Sequence, residues 1–198
     1  ENSLRFTLFS PDGDNGFPGN LTASVTYSVE GGALRLDFEG ESDADTVFAP
    51  TSHMYFNLDG SENILNTQVK INGFGYLEVG ADLIPTGRIC PAKGEFAFSS
   101  LRPLGQNYDH CFPLKGEEAC TARAGDVELS IKTDFPAIQL YTAGALGEPF
   151  GANRGFAVEP EFYPDSPNHP EFPSALLRAG EHFHRYAEYR FKKFISFS

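Results

Sequence analysis

Basic residues and long apolar runs are both scarce in this sequence. The 198-residue chain has 15 Lys and Arg against 27 Asp and Glu, which gives a formal net charge of −12. Binding to a nucleic-acid backbone needs clustered cations, so this balance argues against a nucleic-acid partner. No apolar segment approaches the ~20 residues that a membrane-spanning helix needs, so we expect no membrane partner either.

Cysteine is also infrequent, with three residues at Cys90, Cys111 and Cys120. The count is odd, and no pair has the spacing of a Cys or His metal site. We therefore expect reduced thiols in a reducing compartment, no bound metal and a cytoplasmic location.

Helical periodicity is absent, whereas strict alternation of apolar and polar residues recurs along the chain. Alternation over 21–29 and 34–38, on either side of Gly31-Gly32, predicts a β-hairpin. Further alternating segments cover 127–131, 138–142 and 183–191. The 20 Gly, 14 Pro and 14% aromatic residues are typical of strands joined by turns. These patterns predict an all-β fold. Because no linker or repeat divides the chain, we expect residues 1–198 to form one domain.

Three polar loops, at 10–20, 107–111 and 164–173, are longer or richer in polar groups than a connecting turn requires. Loops of this kind often carry ligand sites on a rigid β-scaffold. For the two acidic loops that contain a histidine, 107–111 and 164–173, we favour a functional role over a purely connecting role.

His53 is the first residue that carries candidate chemistry. It lies in segment 51–58 (TSHMYFNL), where strand alternation predicts that His53, Tyr55 and Asn57 share one polar face. A histidine in such a pattern is more often structural than functional, so the segment alone leaves its role open.

Two carboxyl groups complete the candidate set. Glu159 follows the apolar segment 156–158, which predicts poor solvation and a pKa raised toward neutrality, as a general base near pH 7 requires. The alternative, a water-exposed carboxylate at a strand edge, describes the adjacent Glu161 better than Glu159. Asp109, in segment 108–112 (YDHCF), lacks a third metal ligand nearby, so we expect it to hydrogen-bond hydroxyl groups or the local backbone.

Motifs spread along nearly the whole chain resemble those of one enzyme family. They are SPDG at 10–13, GFPGNL at 16–21, TSHMYFNL at 51–58, LIPTGRI at 83–89, YDHCF at 108–112, QLYT at 139–142, and VEPEF at 158–162 with PDSPN at 164–168. The last is the most specific, because a long proline loop directly follows a buried acid. Together these segments resemble the aldose 1-epimerase family, also called galactose mutarotase.

The resemblance implies a β-supersandwich that binds a monosaccharide on a concave face without a cofactor or metal. It implies that Glu159 is the general base at the C1 hydroxyl and that His53 is the general acid at the ring oxygen. Ring opening, rotation and closure would interconvert the α and β anomers of free hexoses such as galactose and glucose. Asp109, Tyr55 and Gln139 would bind the substrate.

The sequence also departs from the family pattern. Family members extend further at the N-terminus, so we expect a C-terminal part of the usual chain, or a shortened relative, that lacks N-terminal strands. Unpaired sheet edges would then favour association with another chain. Smaller departures, expected to change sugar preference only, are Ser52, Phe96-Ala-Phe98, Ala143-Gly-Ala-Leu146 and Pro160-Glu161.

Three alternatives stay open at this point. A catalytically weak carbohydrate-binding protein on the same scaffold is the main one, because the shortened chain lacks part of the family's site. Glycoside hydrolysis would use two carboxyls, such as Asp109 and Glu159, but gives His53 no role. A sugar-phosphate epimerase would need basic loops, whereas the candidate loops are acidic.

Overall fold

The computed structural model describes residues 2–194 of the chain. Its regular structure consists of sixteen strands, numbered β1 to β16 in chain order, and three short 3-10 turns at Asp14–Gly16, Gly94–Phe96 and Ser166–Asn168. Every strand pairing is antiparallel, which confirms the all-β prediction. Within this range no helix has the length and apolar content needed to cross a bilayer.

Eight strands form the larger sheet. In spatial order they are β1 (Ser3–Ser10), β2 (Leu21–Glu30), β3 (Ala33–Ser42), β16 (Phe183–Lys193), β12 (Val127–Thr133), β11 (Glu118–Ala124), β6 (Gln68–Ile71) and β9 (Arg102–Pro103). The predicted hairpin is β2–β3. Its turn uses Gly31 and Gly32 at φ values of 55° and 77°, a backbone conformation that glycine adopts without steric cost.

Four strands form the smaller sheet, which carries most of the predicted functional residues. In spatial order they are β10 (Asp109–Pro113), β13 (Ala137–Tyr141), β14 (Phe156–Glu161) and β5 (Tyr55–Phe56). Two further pairs are β4 (Thr46–Val47) with β15 (Leu176–Leu177), and β7 (Tyr76–Val79) with β8 (Pro85–Cys90).

A continuous apolar core joins one face of the large sheet to one face of the small sheet. Tyr189 of β16 illustrates the contact, since its ring lies 5.6 Å from that of Phe56 and its hydroxyl donates to the carbonyl oxygen of Val158 at 3.4 Å. Phe156 and Val158 of β14 are fully buried on this side. Because strand residues alternate between faces, the neighbours of these apolar residues project from the opposite face of the small sheet.

Strand β1 lies at the edge of the large sheet, and its apolar side chains are exposed. Leu4, Phe6 and Leu8 are 57%, 55% and 65% accessible to solvent. An edge strand with such side chains favours pairing or packing with further polypeptide. Association with another chain stays a prediction.

Candidate active site

One face of the small sheet gathers the residues that the sequence suggested. Asp109 lies opposite Tyr141 across β10 and β13, Gln139 lies opposite Glu159 across β13 and β14, and Ala157 lies opposite Tyr55 across β14 and β5. Facing residues on adjacent strands point to the same side, so these side chains share the face that turns away from the core. The cleft of about 390 Å³ above this face is lined by His53, Tyr55, Asp109, Gln139, Tyr141, Glu159, Glu161 and Pro164.

His53 and Glu159 face each other inside this cleft. The imidazole Nε2 lies 3.4 Å from Oε1 of Glu159. Glu159 is only 7% exposed because it continues the buried apolar segment of β14. Burial raises the pKa of this carboxyl above its ordinary value, Asp109 raises it further, and the nearby His53 opposes the shift. The predicted direction for Glu159 is therefore confirmed.

Aromatic rings form the wall beside His53. The imidazole lies 4.8 Å from the ring of Tyr55 and 5.8 Å from that of Tyr141, measured between centroids. Burial raises the pKa of the Tyr55 phenol, so its hydroxyl stays protonated near neutral pH and retains a hydrogen-bond donor. The imidazole is thus held on its aromatic side while Nε2 points to the carboxyl of Glu159.

Asp109 and Gln139 form a second polar pair on the floor of the cleft. The amide Nε2 of Gln139 donates to Oδ1 of Asp109 at 2.6 Å. This bond fixes the carboxylate and leaves the carbonyl oxygen of Gln139 free. That Oε1 atom is buried and has no hydrogen-bond partner within residues 2–194. A carboxylate that accepts charge-assisted hydrogen bonds and a free amide oxygen both suit a ligand rich in hydroxyl groups.

Glu161 is not the water-exposed edge carboxylate that the sequence suggested. Its Oε1 atom is buried without a partner in the described part of the chain. Burial and the neighbouring charge of Glu159 raise its pKa to about 8. The reason is positional: alternation along β14 sends Glu161 to the same face as Glu159, and the side chain of the buried Cys111 lies on that face too.

Asn57 and His110 do not join the site. Strand β5 ends at Phe56, and the Asn57 amide turns away to donate to the carbonyl oxygens of Ser61 and Arg154 at 2.8 and 3.0 Å. The predicted shared face of His53, Tyr55 and Asn57 is therefore wrong for Asn57. His110 points to the opposite face from Asp109, where burial lowers the pKa of its imidazole.

The polar loops contribute less than expected. In loop 164–173, only Pro164 lines the cleft, while His169 pairs with Asp165 at 3.5 Å and Glu171 at 3.1 Å. In loop 10–20, Asp12 accepts a hydrogen bond from the backbone N–H of Gly19 at 2.7 Å, so its carboxylate closes the loop on itself. These polar side chains serve the loops' own structure.

Sequence reasoning missed three residues that line the cleft: Tyr141, Glu161 and Pro164. Two of them had a readable signal. Tyr141 lies two positions after Gln139, and Glu161 lies two positions after Glu159, so period-two alternation assigns each to the face of its predicted neighbour. Pro164 lies beyond the strand, and no local pattern predicts its position.

The three cysteines are free thiols. Cys111 and Cys120 are buried and Cys90 is half-buried. Burial raises the pKa of the Cys120 thiol to about 12, so this group stays protonated and unreactive at neutral pH.

Comparison with known proteins agrees with the motifs. The sequence model of the family described as Aldose 1-epimerase matches residues 1–190. Galactose mutarotase from Homo sapiens is 36% identical over an alignment that covers 96% of this chain and 63% of that protein. Aldose 1-epimerase from Haemophilus influenzae is 32% identical, with 97% of this chain and 65% of that protein covered.

Solved structures show the same similarity. An aldose epimerase homologue from C. elegans matches with a TM-score of 0.93 and 28% identity, covering 98% of this chain and 66% of that one. A galactose 1-epimerase from Lactobacillus acidophilus matches with a TM-score of 0.88 and 27% identity, covering 98% and 63%. The predicted galactose mutarotase-like β-supersandwich is thereby confirmed. The chain spans about two thirds of the length of these relatives, and it belongs to the aldose 1-epimerase family.

Proposed function

We propose that this chain is an aldose 1-epimerase that interconverts the α and β anomers of free hexoses such as galactose and glucose. The observation that carries the proposal is the 3.4 Å separation between Nε2 of His53 and Oε1 of the buried Glu159. An imidazole and a carboxyl at this distance can reach two oxygens that are bonded to the same carbon. In a pyranose, the C1 hydroxyl and the ring oxygen are such a pair.

The proposed reaction needs two proton transfers. Glu159, as carboxylate, accepts the proton of the C1 hydroxyl, and the electrons of that O–H bond form the aldehyde C=O. The bond between C1 and the ring oxygen breaks, and protonated His53 donates its proton to that oxygen. Rotation about C1–C2 presents the other face of the aldehyde, and closure returns both protons. A raised pKa makes Glu159 a stronger base than an exposed carboxylate, which suits the first step.

The substrate-binding roles follow from the polar pair on the cleft floor. We propose that Asp109, oriented by its 2.6 Å bond from Gln139, accepts hydrogen bonds from sugar hydroxyls. Tyr55 would pack against the sugar ring beside His53. The free thiols support a reducing compartment, and on that basis we propose a cytoplasmic location.

Polarimetry of freshly dissolved α-D-galactose tests the assignment of the proton carriers. Glu159→Gln and His53→Asn should each lower kcat by about 10²–10⁴-fold, because each removes one positioned proton carrier, while KM changes little. Rates are measured as the excess over spontaneous mutarotation in the same buffer.

Exposed residues of the same types provide matched controls. Glu30→Gln at the end of β2 and His182→Asn just before β16, both outside the residues that line the cleft, should keep wild-type kcat. Unchanged turnover in Glu159→Gln or His53→Asn would remove that residue from its assigned role. Binding of galactose by the wild-type chain without any faster anomer exchange would favour a carbohydrate-binding protein instead.

A further inference from the structure

The floor of the cleft holds a second carboxyl that the proposed mechanism does not use. Along β14, Glu159 and Glu161 project into the cleft, and Pro160 lies between them on the core side. Pro160 is buried, and its carbonyl oxygen accepts a hydrogen bond from the hydroxyl of Thr51 at 2.8 Å. The strand is therefore held at this point, and Glu161 keeps a fixed place beside the proposed base.

Among residues 2–194, no cation balances the charge of Glu161. Its carboxyl forms no ion pair with any Lys, Arg or His of residues 2–194. The titratable groups that face it are Glu159 on its own strand and Asp109 and Cys111 on β10. Burial raises the pKa of the Cys111 thiol, so this group stays protonated and adds no charge beside Glu161.

Two buried oxygens in this cleft lack partners within the described range: Oε1 of Glu161 and Oε1 of Gln139. Gln139 and Glu161 both line this cleft, on the neighbouring strands β13 and β14. Buried polar atoms in folded proteins are almost always hydrogen-bonded, and an orphaned pair in a ligand cleft indicates where a ligand supplies the missing partners. A hydroxyl group offers both a donor and an acceptor.

We propose that Glu161 is a further substrate-binding residue, which in its protonated form donates a hydrogen bond to a hydroxyl oxygen of the sugar while Oε1 of Gln139 accepts from a hydroxyl hydrogen. The inference rests on the proposed function, because it takes the ligand to be the hexose. A neutral Glu161 also leaves the negative charge with Glu159, since two adjacent carboxylates disfavour each other's ionisation.

The contact should depend on pH in a defined direction. Burial and the charge of Glu159 raise the pKa of Glu161 to about 8, so the group carries its proton at neutral pH. Above that pH the carboxylate has no proton to donate. Affinity for the sugar should therefore fall as the pH rises through about 8.

Calorimetric titration of the full chain with D-galactose, between about pH 6 and about pH 9, tests the inference. We expect the wild-type Kd to rise about tenfold over this range, the change that loss of one hydrogen bond produces. Glu161→Gln keeps a donor and an acceptor but cannot ionise, so its Kd should stay near the wild-type value at neutral pH and should not rise. Glu161→Leu lacks both groups and should bind about tenfold more weakly at neutral pH, with no rise.

Glu30→Gln serves as the control and should follow the wild-type curve. A Kd of Glu161→Gln that rises with pH as the wild-type Kd does would overturn the inference, and so would wild-type affinity in Glu161→Leu. If Glu161→Leu does not fold, the pH dependence of Glu161→Gln decides alone. The titration measures binding and does not depend on turnover. If the affinities change as expected but no mutarotation is detected, only the proposed function is overturned. Wild-type protein that neither binds nor interconverts galactose or glucose would overturn both.

Discussion

Replacing Glu161 by glutamine should remove a loss of stability that the wild-type protein suffers as the pH rises. The carboxyl has one buried oxygen without a partner in the described part of the chain, and its pKa is raised from an ordinary 4.5 to about 8 in the folded state. In the unfolded chain it returns to the ordinary value. Between these two pH values the folded state therefore holds a proton that the unfolded state has released.

The sign of the effect follows from proton linkage. The stabilisation from this group is fully present below pH 4.5 and is lost as the pH rises to about 8. The free energy of unfolding falls by about 1.4 kcal/mol for each pH unit in this window. Over the whole window the loss is on the order of 3–5 kcal/mol, a large part of the stability of an ordinary domain. Glutamine is neutral throughout and avoids this loss.

Urea unfolding between about pH 5 and about pH 9 measures the effect. The chain has no tryptophan, so far-UV circular dichroism is the suitable signal. The gap in unfolding free energy between Glu161→Gln and wild type should widen as the pH rises to about 8 and then level off. Burial also raises the pKa of Glu159, so Glu159→Gln should show a smaller change in the pH dependence of the unfolding free energy, in the same direction. Glu30→Gln should follow the wild-type curve. Parallel curves for Glu161→Gln and wild type across this window would refute the reasoning.

Two further substitutions test the site and the core. Asp109→Asn retains an oxygen that can accept from Gln139 but loses the charge-assisted bonds to sugar, so KM in the polarimetric assay should rise by roughly 10–100-fold with kcat nearly unchanged. An unaltered KM would contradict the binding role of Asp109. Gly40→Ala places a Cβ 2.5 Å from Cε1 of Phe48, so thermal unfolding should show a destabilisation of about 1–3 kcal/mol. Gly116→Ala has open space and should stay within about 0.5 kcal/mol of wild type; equal losses in both variants would rule out the steric explanation.

The strands of this protein could be predicted because alternation is a local property. The segment 21–29 corresponds to the observed Leu21–Glu30, and 183–191 corresponds to Phe183–Lys193. The β2–β3 hairpin was equally accessible, since its two strands are joined directly by Gly31-Gly32. Periodicity fails where a strand is short. Strand β5 has two residues, and the predicted alternation past Phe56 breaks when Asn57 turns to bond backbone carbonyls.

The pair formed by His53 and Glu159 required the tertiary structure. About a hundred positions separate them in the sequence, and they meet because β5 pairs with the end of β14 where Phe156 lies opposite Phe56. That pairing is selected by the shared core on the other face, where the two rings pack against each other and Phe56 also packs against Tyr189. No local pattern encodes such a long-range choice, so the sequence offered His53 and Glu159 as separate candidates and only the family resemblance joined them.

By itself, the sequence determined the all-β character, the positions of strands with clear alternation such as β2 and β16, and the chemical types available to the site, because these depend on residues close together in the chain. The tertiary structure decided which side chains meet and which are deprived of water. Glu161 shows the difference most clearly: its position two residues after Glu159 was readable, but the burial that raises its pKa was not, because that burial arises only when other parts of the chain pack around β14. Solvation is a property of the packed assembly of strands, and for this reason the raised pKa of Glu161 could not be deduced from β14 alone, although that of Glu159 could.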